Sequence, residues 1–218
     1  AAQPQWGTRE EVVYQRARDL VIALDVSRSM LANDVHPNRL ERAKADILDL
    51  IRELPGDRVG LIAFRRTAVL LCPLTTDYAY VRQVLDAVTI DSAPRGETSI
   101  GDAITKAMQA FESDDGSHKA IILISDGEDL SGTAQAAAEK AGTKRIRIFT
   151  VGIGNRRGST IPAEGGAGNV KYKNEDVSTK LNDDTLYAIA NKTGGAYLPV
   201  ETAGMGSDTL GTLYRDHL

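Results

Sequence analysis

The sequence predicts an α/β fold with a doubly wound, mainly parallel six-stranded sheet and helices on both faces. Two observations predict it. Short apolar runs of strand length alternate with longer segments in which apolar residues recur at helical spacing. One pair of predicted strands is separated by only two residues, too few for a helical crossover. That pair must be a hairpin, so the sheet has one antiparallel edge strand while its other strands run parallel.

Six apolar runs make up the predicted sheet. They are residues 21–24, 58–64, 67–72, 119–125, 145–151 and 196–200. Arg65 and Arg66 alone separate the second run from the third, so they form the turn of the hairpin. The first run, Val-Ile-Ala-Leu, is apolar at every position, as in a strand buried on both faces of a parallel sheet.

Apolar residues at helical spacing predict the helices that cover the sheet. These are residues 39–54, 77–88, a segment after Thr98, residues 133–141, 183–192 and 207–218. Asn38 is a suitable N-cap for the first of them, and Pro55 and Gly56 follow its last residue. Helices of this kind bury one face, so we expect them to pack on the sheet.

Three segments divide the chain. We expect an N-terminal lead over residues 1–18, an α/β domain over 19–202 and a C-terminal helix over 203–218. Within the domain, a polar and glycine-rich insertion around 155–180 is predicted to form a small surface hairpin near residues 169–173.

Composition sets limits on function. The 218 residues include 42% hydrophobic and 26% charged residues, which is ordinary for a globular domain. A formal net charge of −4 and the lack of a dense Lys/Arg block argue against a nucleic-acid-binding surface. The single cysteine, Cys72, lies in an apolar run and is predicted to be a small core residue. No apolar run approaches the length of a transmembrane helix, and no signal peptide begins the sequence.

Polar side chains follow the first strand where it ends. Asp25 comes directly after the apolar run, and the hydroxyls of Ser27 and Ser29 follow at alternate positions. In open α/β sheets ligands bind at this end of the strands. One carboxylate and two hydroxyls are oxygen ligands suited to a hard divalent cation. By itself, the same run would also fit an Asx or Ser/Thr turn that caps the next helix.

Two further stretches favour the metal site over the turn. Residues 119–125 form a second strand that ends in a carboxylate, Asp126, followed by Gly127. Thr98 lies in a glycine-flanked loop immediately before a helical pattern. Three loops would then bring two carboxylates and three hydroxyls to one edge of the sheet.

This set resembles the von Willebrand factor A (VWA) domain and its metal-ion-dependent adhesion site (MIDAS). The family pattern is Asp-x-Ser-x-Ser, a later Thr and a strand-end Asp, matched by Asp25, Ser27, Ser29, Thr98 and Asp126. The resemblance implies a Rossmann-like sheet of order 3-2-1-4-5-6 and a bound Mg²⁺ or Mn²⁺. The serines would coordinate the metal directly, the threonine directly or through water, and the aspartates would mostly hold metal-bound waters. An acidic group of a protein partner would complete the coordination.

Within that family, the chain is similar to the bacterial Bat-type proteins, named from an aerotolerance operon. The resemblance lies in DVSRSMLANDVHPNRLERAK, LPGDRVGLIAF, PLTTDY, ISDGED and TKLNDDTLYAIANKTGGAY. It implies the soluble domain of an inner-membrane protein, anchored by flanking helices absent from this chain and facing the periplasm. It also implies partnership with a MoxR-type AAA+ ATPase and other Bat proteins, in an assembly or stress-related complex.

Three acidic residues adjoin the predicted site without matching the pattern. Glu97 precedes Thr98, where many relatives have a small residue, and Glu128 and Asp129 follow Asp126 closely. We expect all three to be solvated surface residues rather than ligands. His36 is likewise expected to be a loop residue, since metal-binding histidine spacing does not occur in the sequence.

Enzymatic alternatives lack required residues. A haloacid-dehalogenase-like phosphatase needs a second acidic residue at the position of Ser27. The phosphate-binding motif GxxxxGK[ST] and the nucleophile elbow GxSxG are also absent. We therefore predict an interaction module rather than an enzyme. The remaining alternative is a structural VWA domain with a vestigial metal site.

Overall fold

Six strands form one sheet in the computed structural model, which describes residues 18–111, 118–163, 168–200 and 209–218. The strands of the described residues are β1 (Arg18–Asp25), β2 (Arg58–Phe64), β3 (Ala68–Thr75), β4 (His118–Ser125), β5 (Arg147–Ile153), β6 (Ser159–Thr160), β7 (Lys171–Tyr172), β8 (Glu175–Asp176), β9 (Ser178–Thr179) and β10 (Tyr197–Val200). The main sheet has the order β10-β5-β4-β1-β2-β3. Counting only its own strands, this is the predicted order 3-2-1-4-5-6.

Parallel pairing holds everywhere in this sheet except at one edge. β1 pairs in parallel with β2 and β4, and β5 pairs in parallel with β4 and β10. β3 runs antiparallel to β2 at the sheet edge, as the two-residue connection predicts. The carboxyl ends of β1, β2 and β4 therefore lie side by side.

Helices cover both faces of the sheet. They are α1 (Arg39–Glu53), α2 (Tyr78–Asp86), α3 (Ile100–Ala110), α4 (Ala134–Thr143), α5 (Asp183–Thr193) and α6 (Thr209–His217). Side chains of β1 alternate between two cores: Leu20 and Ile22 pack in the core of α1, α2 and α6, whereas Val21 and Ala23 pack in the core of α3, α4 and α5. All four are fully buried, which accounts for the uniformly apolar strand.

Several strands have boundaries that differ from the predicted ones. β5 begins at Arg147 rather than at residue 145, because Arg145 has a left-handed conformation (φ 57°) in the turn after α4. β3 continues to Thr75 instead of ending at Cys72. Cys72 itself is buried, as predicted.

The polar insertion folds into two small ladders. β6 pairs with β9, and β7 pairs with β8, all antiparallel. The predicted strand at residues 169–173 is reduced to the two residues of β7. The segment boundaries at 18, 202 and 203 remain predictions, since residues 1–17 and 201–208 lie outside the described ranges. None of the described helices is both long and apolar enough to cross a bilayer.

Candidate metal site

Asp25 ends β1 and is completely buried. Its Oδ1 accepts a 2.8 Å hydrogen bond from the backbone N–H of Ser27. Its Oδ2 accepts a 2.7 Å hydrogen bond from the hydroxyl of Ser125, the last residue of the neighbouring β4. These bonds fix the orientation of the carboxylate and connect the ends of two strands.

Ser27 and Ser29 lie on a tight turn directly after Asp25. A short 3₁₀ helix, Arg28–Leu31, follows Ser27 and brings the two hydroxyl oxygens to 2.7 Å from each other. Both residues are buried. Two oxygens that bind one Mg²⁺ at adjacent octahedral positions lie about 3 Å apart, so this spacing suits a shared cation.

Thr98 is buried in the loop before α3, and backbone hydrogen bonds hold that loop on two sides. The N–H of Leu130 donates to the carbonyl of Thr98 at 3.1 Å, and the N–H of Ser99 donates to the carbonyl of Arg65 at 2.8 Å. Leu130 belongs to the loop after β4, and Arg65 follows β2. Thr98 is thereby held at the same edge of the sheet as the two aspartates.

Asp126 follows β4 and is completely buried. Its Oδ1 accepts from the N–H of Glu128 at 3.3 Å, and its Oδ2 lies 3.0 Å from Nη1 of Arg39. Gly127 permits this turn: its φ is +79°, and a Cβ there would lie 2.2 Å from the carbonyl oxygen of Asn182.

Sequence reasoning missed Arg39, the first residue of α1 and a fully buried side chain. Besides Asp126, its guanidinium binds both carboxylate oxygens of Asp34, through Nε at 2.8 Å and Nη2 at 2.7 Å. Asp34 also accepts the N–H of Asn155 at 2.7 Å. The sequence did contain a signal for this role. Arg39 lies four positions before Ala43, so it is a charged residue on the apolar face of the predicted helix.

Burial and like charge shape the electrostatics of the site. Burial, together with the neighbouring charge of Asp126, raises the pKa of Asp25 to about 7 despite the hydrogen bonds from Ser125 and Ser27. Burial also raises the pKa of Asp34, but hydrogen bonds from Arg39 and its positive charge outweigh this and leave the pKa below its usual value.

The carboxylate and hydroxyl oxygens of this site fit a divalent metal ion. Asp25 and Asp126 are fully buried and Asp34 is partly buried. The buried guanidinium of Arg39 pairs with Asp34 and Asp126, so the three carboxylates and one guanidinium carry two net negative charges when all are ionised. All the donors are oxygens, the ligands of Mg²⁺ and Mn²⁺. The described residues contain no metal-binding cluster of three or more His, Cys, Asp or Glu side chains, so a cation here would depend on the hydroxyls.

The adjoining acidic residues have different environments. Glu97 is exposed, as predicted. The prediction of solvated side chains is wrong for Glu128 and Asp129, which are partly buried. The Thr179 hydroxyl lies 3.0 Å from Glu128 Oε1. Asp129 accepts N–H groups at the starts of α3 and α4, at 3.3 and 3.1 Å, because both helix N-termini need an acceptor there.

Comparison with known proteins identifies the family. A model described as von Willebrand factor type A domain matches residues 20–128, half of the chain. The chain belongs to this family. The mainly parallel six-stranded sheet with one antiparallel edge strand is consistent with the VWA fold.

Two solved structures narrow the similarity to Bat-type proteins. The conserved hypothetical protein BatB from Bacteroides thetaiotaomicron is 34% identical, with a TM-score of 0.86 over 91% of this chain and 98% of that one. An aerotolerance-related membrane protein from Bacteroides fragilis is 34% identical, with a TM-score of 0.84 over 90% and 96% of the two chains. This VWA domain is therefore of the Bat type.

Curated relatives are longer than this chain. An uncharacterized protein of Borreliella burgdorferi is 27% identical over 202 residues, which are 91% of this VWA domain chain and 58% of that protein. The chain thus spans less than two thirds of the length of such relatives.

Proposed function

We propose that this Bat-type VWA domain is a metal-ion-dependent protein interaction module. Ser27, Ser29 and Thr98 would bind Mg²⁺ or Mn²⁺, while Asp25 and Asp126 would accept hydrogen bonds from metal-bound waters. The observation that carries the proposal is the pair of fully buried carboxylates beside two hydroxyls 2.7 Å apart. Burial of two like charges is costly unless a cation compensates for them.

The bound metal would supply a positive charge with one position open to an oxygen of the partner. An Asp or Glu side chain of a partner protein suits that position, because a carboxylate is a strong ligand for hard cations. The protein's own contribution is orientation. Ser125 and the N–H of Ser27 fix Asp25, and Arg39 fixes Asp126.

An interaction role fits the positions of the histidines better than catalysis does. His118 begins β4, a whole strand away from Asp126, which is about 25 Å at the usual rise per residue. The carbonyl of His217 accepts from Arg147 at the start of β5, at that same far end of the sheet. His36 is exposed in the loop before α1. The N–H of Ser27 bonds to Asp25 and its hydroxyl to Ser29, whereas a serine nucleophile would pair with a base such as histidine.

We further propose that the full-length protein is anchored in the bacterial inner membrane, with this domain in the periplasm. The support is the similarity to the membrane protein of Bacteroides fragilis and the greater length of the relatives. Arg18 and Tyr214 both contact Asp57, at the end of the sheet opposite Asp25. Anchors joined near these residues would leave the metal site facing away from the membrane.

As partners we propose a MoxR-type AAA+ ATPase and other Bat proteins, one of which would donate the carboxylate. The test is co-purification with the full-length protein in Mg²⁺ and in EDTA. We expect the complex only in Mg²⁺, and loss of it in Asp25→Asn. Equal recovery in EDTA would contradict a metal bridge.

A structural VWA domain with a vestigial site is the second candidate. The observation that favours it is the Arg39–Asp126 ion pair, which already neutralises one of the two carboxylates without a metal.

Calorimetric titration of the metal-stripped protein with Mg²⁺ and Mn²⁺ separates the two candidates. We expect saturable one-site binding that Asp25→Asn abolishes. Asp49→Asn is the matched control, since Asp49 is an exposed carboxylate near the far end of α1. If the parent protein binds neither ion at millimolar concentration, the metal-dependent function is wrong and the structural candidate stands.

A further inference from the structure

Arg65 lies beside the metal site although it belongs to none of its three loops. It follows Phe64, which is the register partner of Asp25, and the N–H of Val26 donates to the carbonyl of Phe64 at 2.9 Å. The carbonyl of Arg65 accepts from Ser99 in the loop of Thr98 at 2.8 Å. Arg65 therefore connects the first metal loop with the threonine loop.

Two nitrogen atoms of the Arg65 side chain are buried without a hydrogen-bond partner among the described residues. They are Nε and Nη1, which together carry three N–H donors. Two other arginines near strand ends do bind carboxylates: Arg39 binds Asp34, and Arg58 binds Asp19 at 2.8 Å through two nitrogens. Unmet buried donors are costly, and the Arg65 side chain as a whole is only partly buried, so an incoming acidic ligand is one way to satisfy them.

Positive charge accumulates around this side chain. Burial, and then the charges of Arg28 and Arg95, lower the pKa of Arg65, while Asp25 and Asp91 oppose that effect. Asp91 is bound by Arg95, through Nε at 3.2 Å and Nη2 at 3.1 Å. With a divalent cation at the hydroxyls, the surroundings of Arg65 would favour an anion more strongly.

A groove lined by Arg66, the residue that follows Arg65, provides space for a peptide side chain. It has a volume of about 490 Å³ and is lined by Arg66, Gly96, Glu97, Ser99 and Ser131. Two of its lining residues, Glu97 and Ser99, flank Thr98 in the chain, so the groove belongs to the loop that carries Thr98. Glu97 is its one acidic lining residue, and it would exclude an acidic group from its own side of the groove.

We propose that Arg65 binds a second acidic group of the same partner, so that the site selects a segment with two carboxylates, one for the metal and one for Arg65. This inference rests on the proposed function. It adds a specificity determinant, because a charge-assisted hydrogen bond to a buried guanidinium discriminates an acid from its amide.

Two capped peptides provide the test, one with the sequence Gly-Glu-Gly-Glu-Gly and one with a single Glu replaced by Gln. Their affinities are measured by calorimetry with protein saturated with Mn²⁺ and again in EDTA. For the parent protein we expect the doubly acidic peptide to bind roughly tenfold more tightly in Mn²⁺. Arg65→Gln should remove most of this preference, and Arg65→Lys should retain part of it. Arg52→Gln, the same charge change at an exposed residue of α1, should retain it fully.

Outcomes for the two proposals are distinguishable. If neither peptide binds the parent protein in Mn²⁺, or binding persists in EDTA, the metal-bridge function fails and this inference fails with it. If both peptides bind in Mn²⁺ with equal affinity, or Arg65→Gln keeps the full preference, only the role of Arg65 is wrong. The latter results would mean that water satisfies the buried donors.

Discussion

Arg39 Nη1 lies 3.0 Å from Asp126 Oδ2, and both side chains are completely excluded from solvent. The same guanidinium binds Asp34, so one cation connects the loop before α1 with the loop after β4. The glycine at 154 permits this, because a Cβ there would lie 2.7 Å from the guanidinium carbon of Arg39. The ion pair thus holds one predicted metal-site aspartate in place without a metal.

Arg39→Met should be strongly destabilising. Removing one partner of a buried ion pair leaves the other charge buried without compensation, which typically costs about 3–5 kcal/mol of the free energy of unfolding. Urea denaturation at neutral pH measures this loss. Arg52→Met, in the exposed part of the same helix, is the control and should change stability by less than about 0.5 kcal/mol. A loss below about 1 kcal/mol in Arg39→Met would show that the pair contributes little.

Acid should remove the contribution of Asp34. Its pKa in the folded protein is lowered from the ordinary value of 3.8 because Arg39 favours the charged form. The stabilisation is therefore present above pH 3.8 and is lost as the pH falls through the lower folded-state pKa. We expect parent and Asp34→Asn to differ in unfolding free energy at pH 7 and to converge as the pH falls below the folded-state pKa of Asp34. A difference that is constant with pH would contradict an ionic contribution.

Mg²⁺ should stabilise the parent protein by mass action. At a free concentration one hundred times the dissociation constant, the gain in unfolding free energy should be about 2.7 kcal/mol. Thermal denaturation across a Mg²⁺ series measures it. Asp25→Asn should show no gain, whereas Asp49→Asn should behave as the parent does. Equal stabilisation of all three proteins would mean that the ion acts elsewhere.

Gly127→Ala should disturb the turn that holds Asp126. Its left-handed φ and the 2.2 Å approach of the Asn182 carbonyl leave no room for a Cβ. Gly132 is a matched control, with φ +66° and nothing within 4 Å of an added Cβ. We expect Gly132→Ala to cost about 1 kcal/mol and Gly127→Ala about 2 kcal/mol more, together with weaker Mg²⁺ binding. If the two variants lose the same unfolding free energy in urea denaturation, the backbone at Asn182 moves aside at little cost.

Most of the fold followed from local patterns. The short connection after Phe64 determined the antiparallel edge strand, because no crossover fits in that length. In the structure it has three residues, 65–67, rather than the predicted two. The helix after Asn38 begins where the cap predicts, with the Asn38 side chain accepting the N–H of Glu41 at 2.8 Å. The predicted start of β5 was wrong, because Arg145 has a left-handed turn conformation and the strand begins only at Arg147.

The site was predictable only in part. Asp25 and Asp126 each end a strand, so their shared edge follows from the topology of a parallel sheet. The capping role of Asp129 did not follow, since its partners at Ile100 and Ala134 belong to two different helices. The unmet donors of Arg65 depend on how the surrounding loops pack.

Local patterns in the sequence predicted the doubly wound fold, the family, and the positions of Asp25 and Asp126 at the carboxyl ends of neighbouring strands. These follow from periodicity and motif order, which are properties of neighbours along the chain. Only the tertiary structure decided that Arg39 pairs with Asp126, 87 positions away, and that Arg65 does not pair with a carboxylate among the described residues. The strength of an ion pair depends on the distance between the two charged groups and on their burial. Both are determined by folding when the two residues are far apart in the sequence.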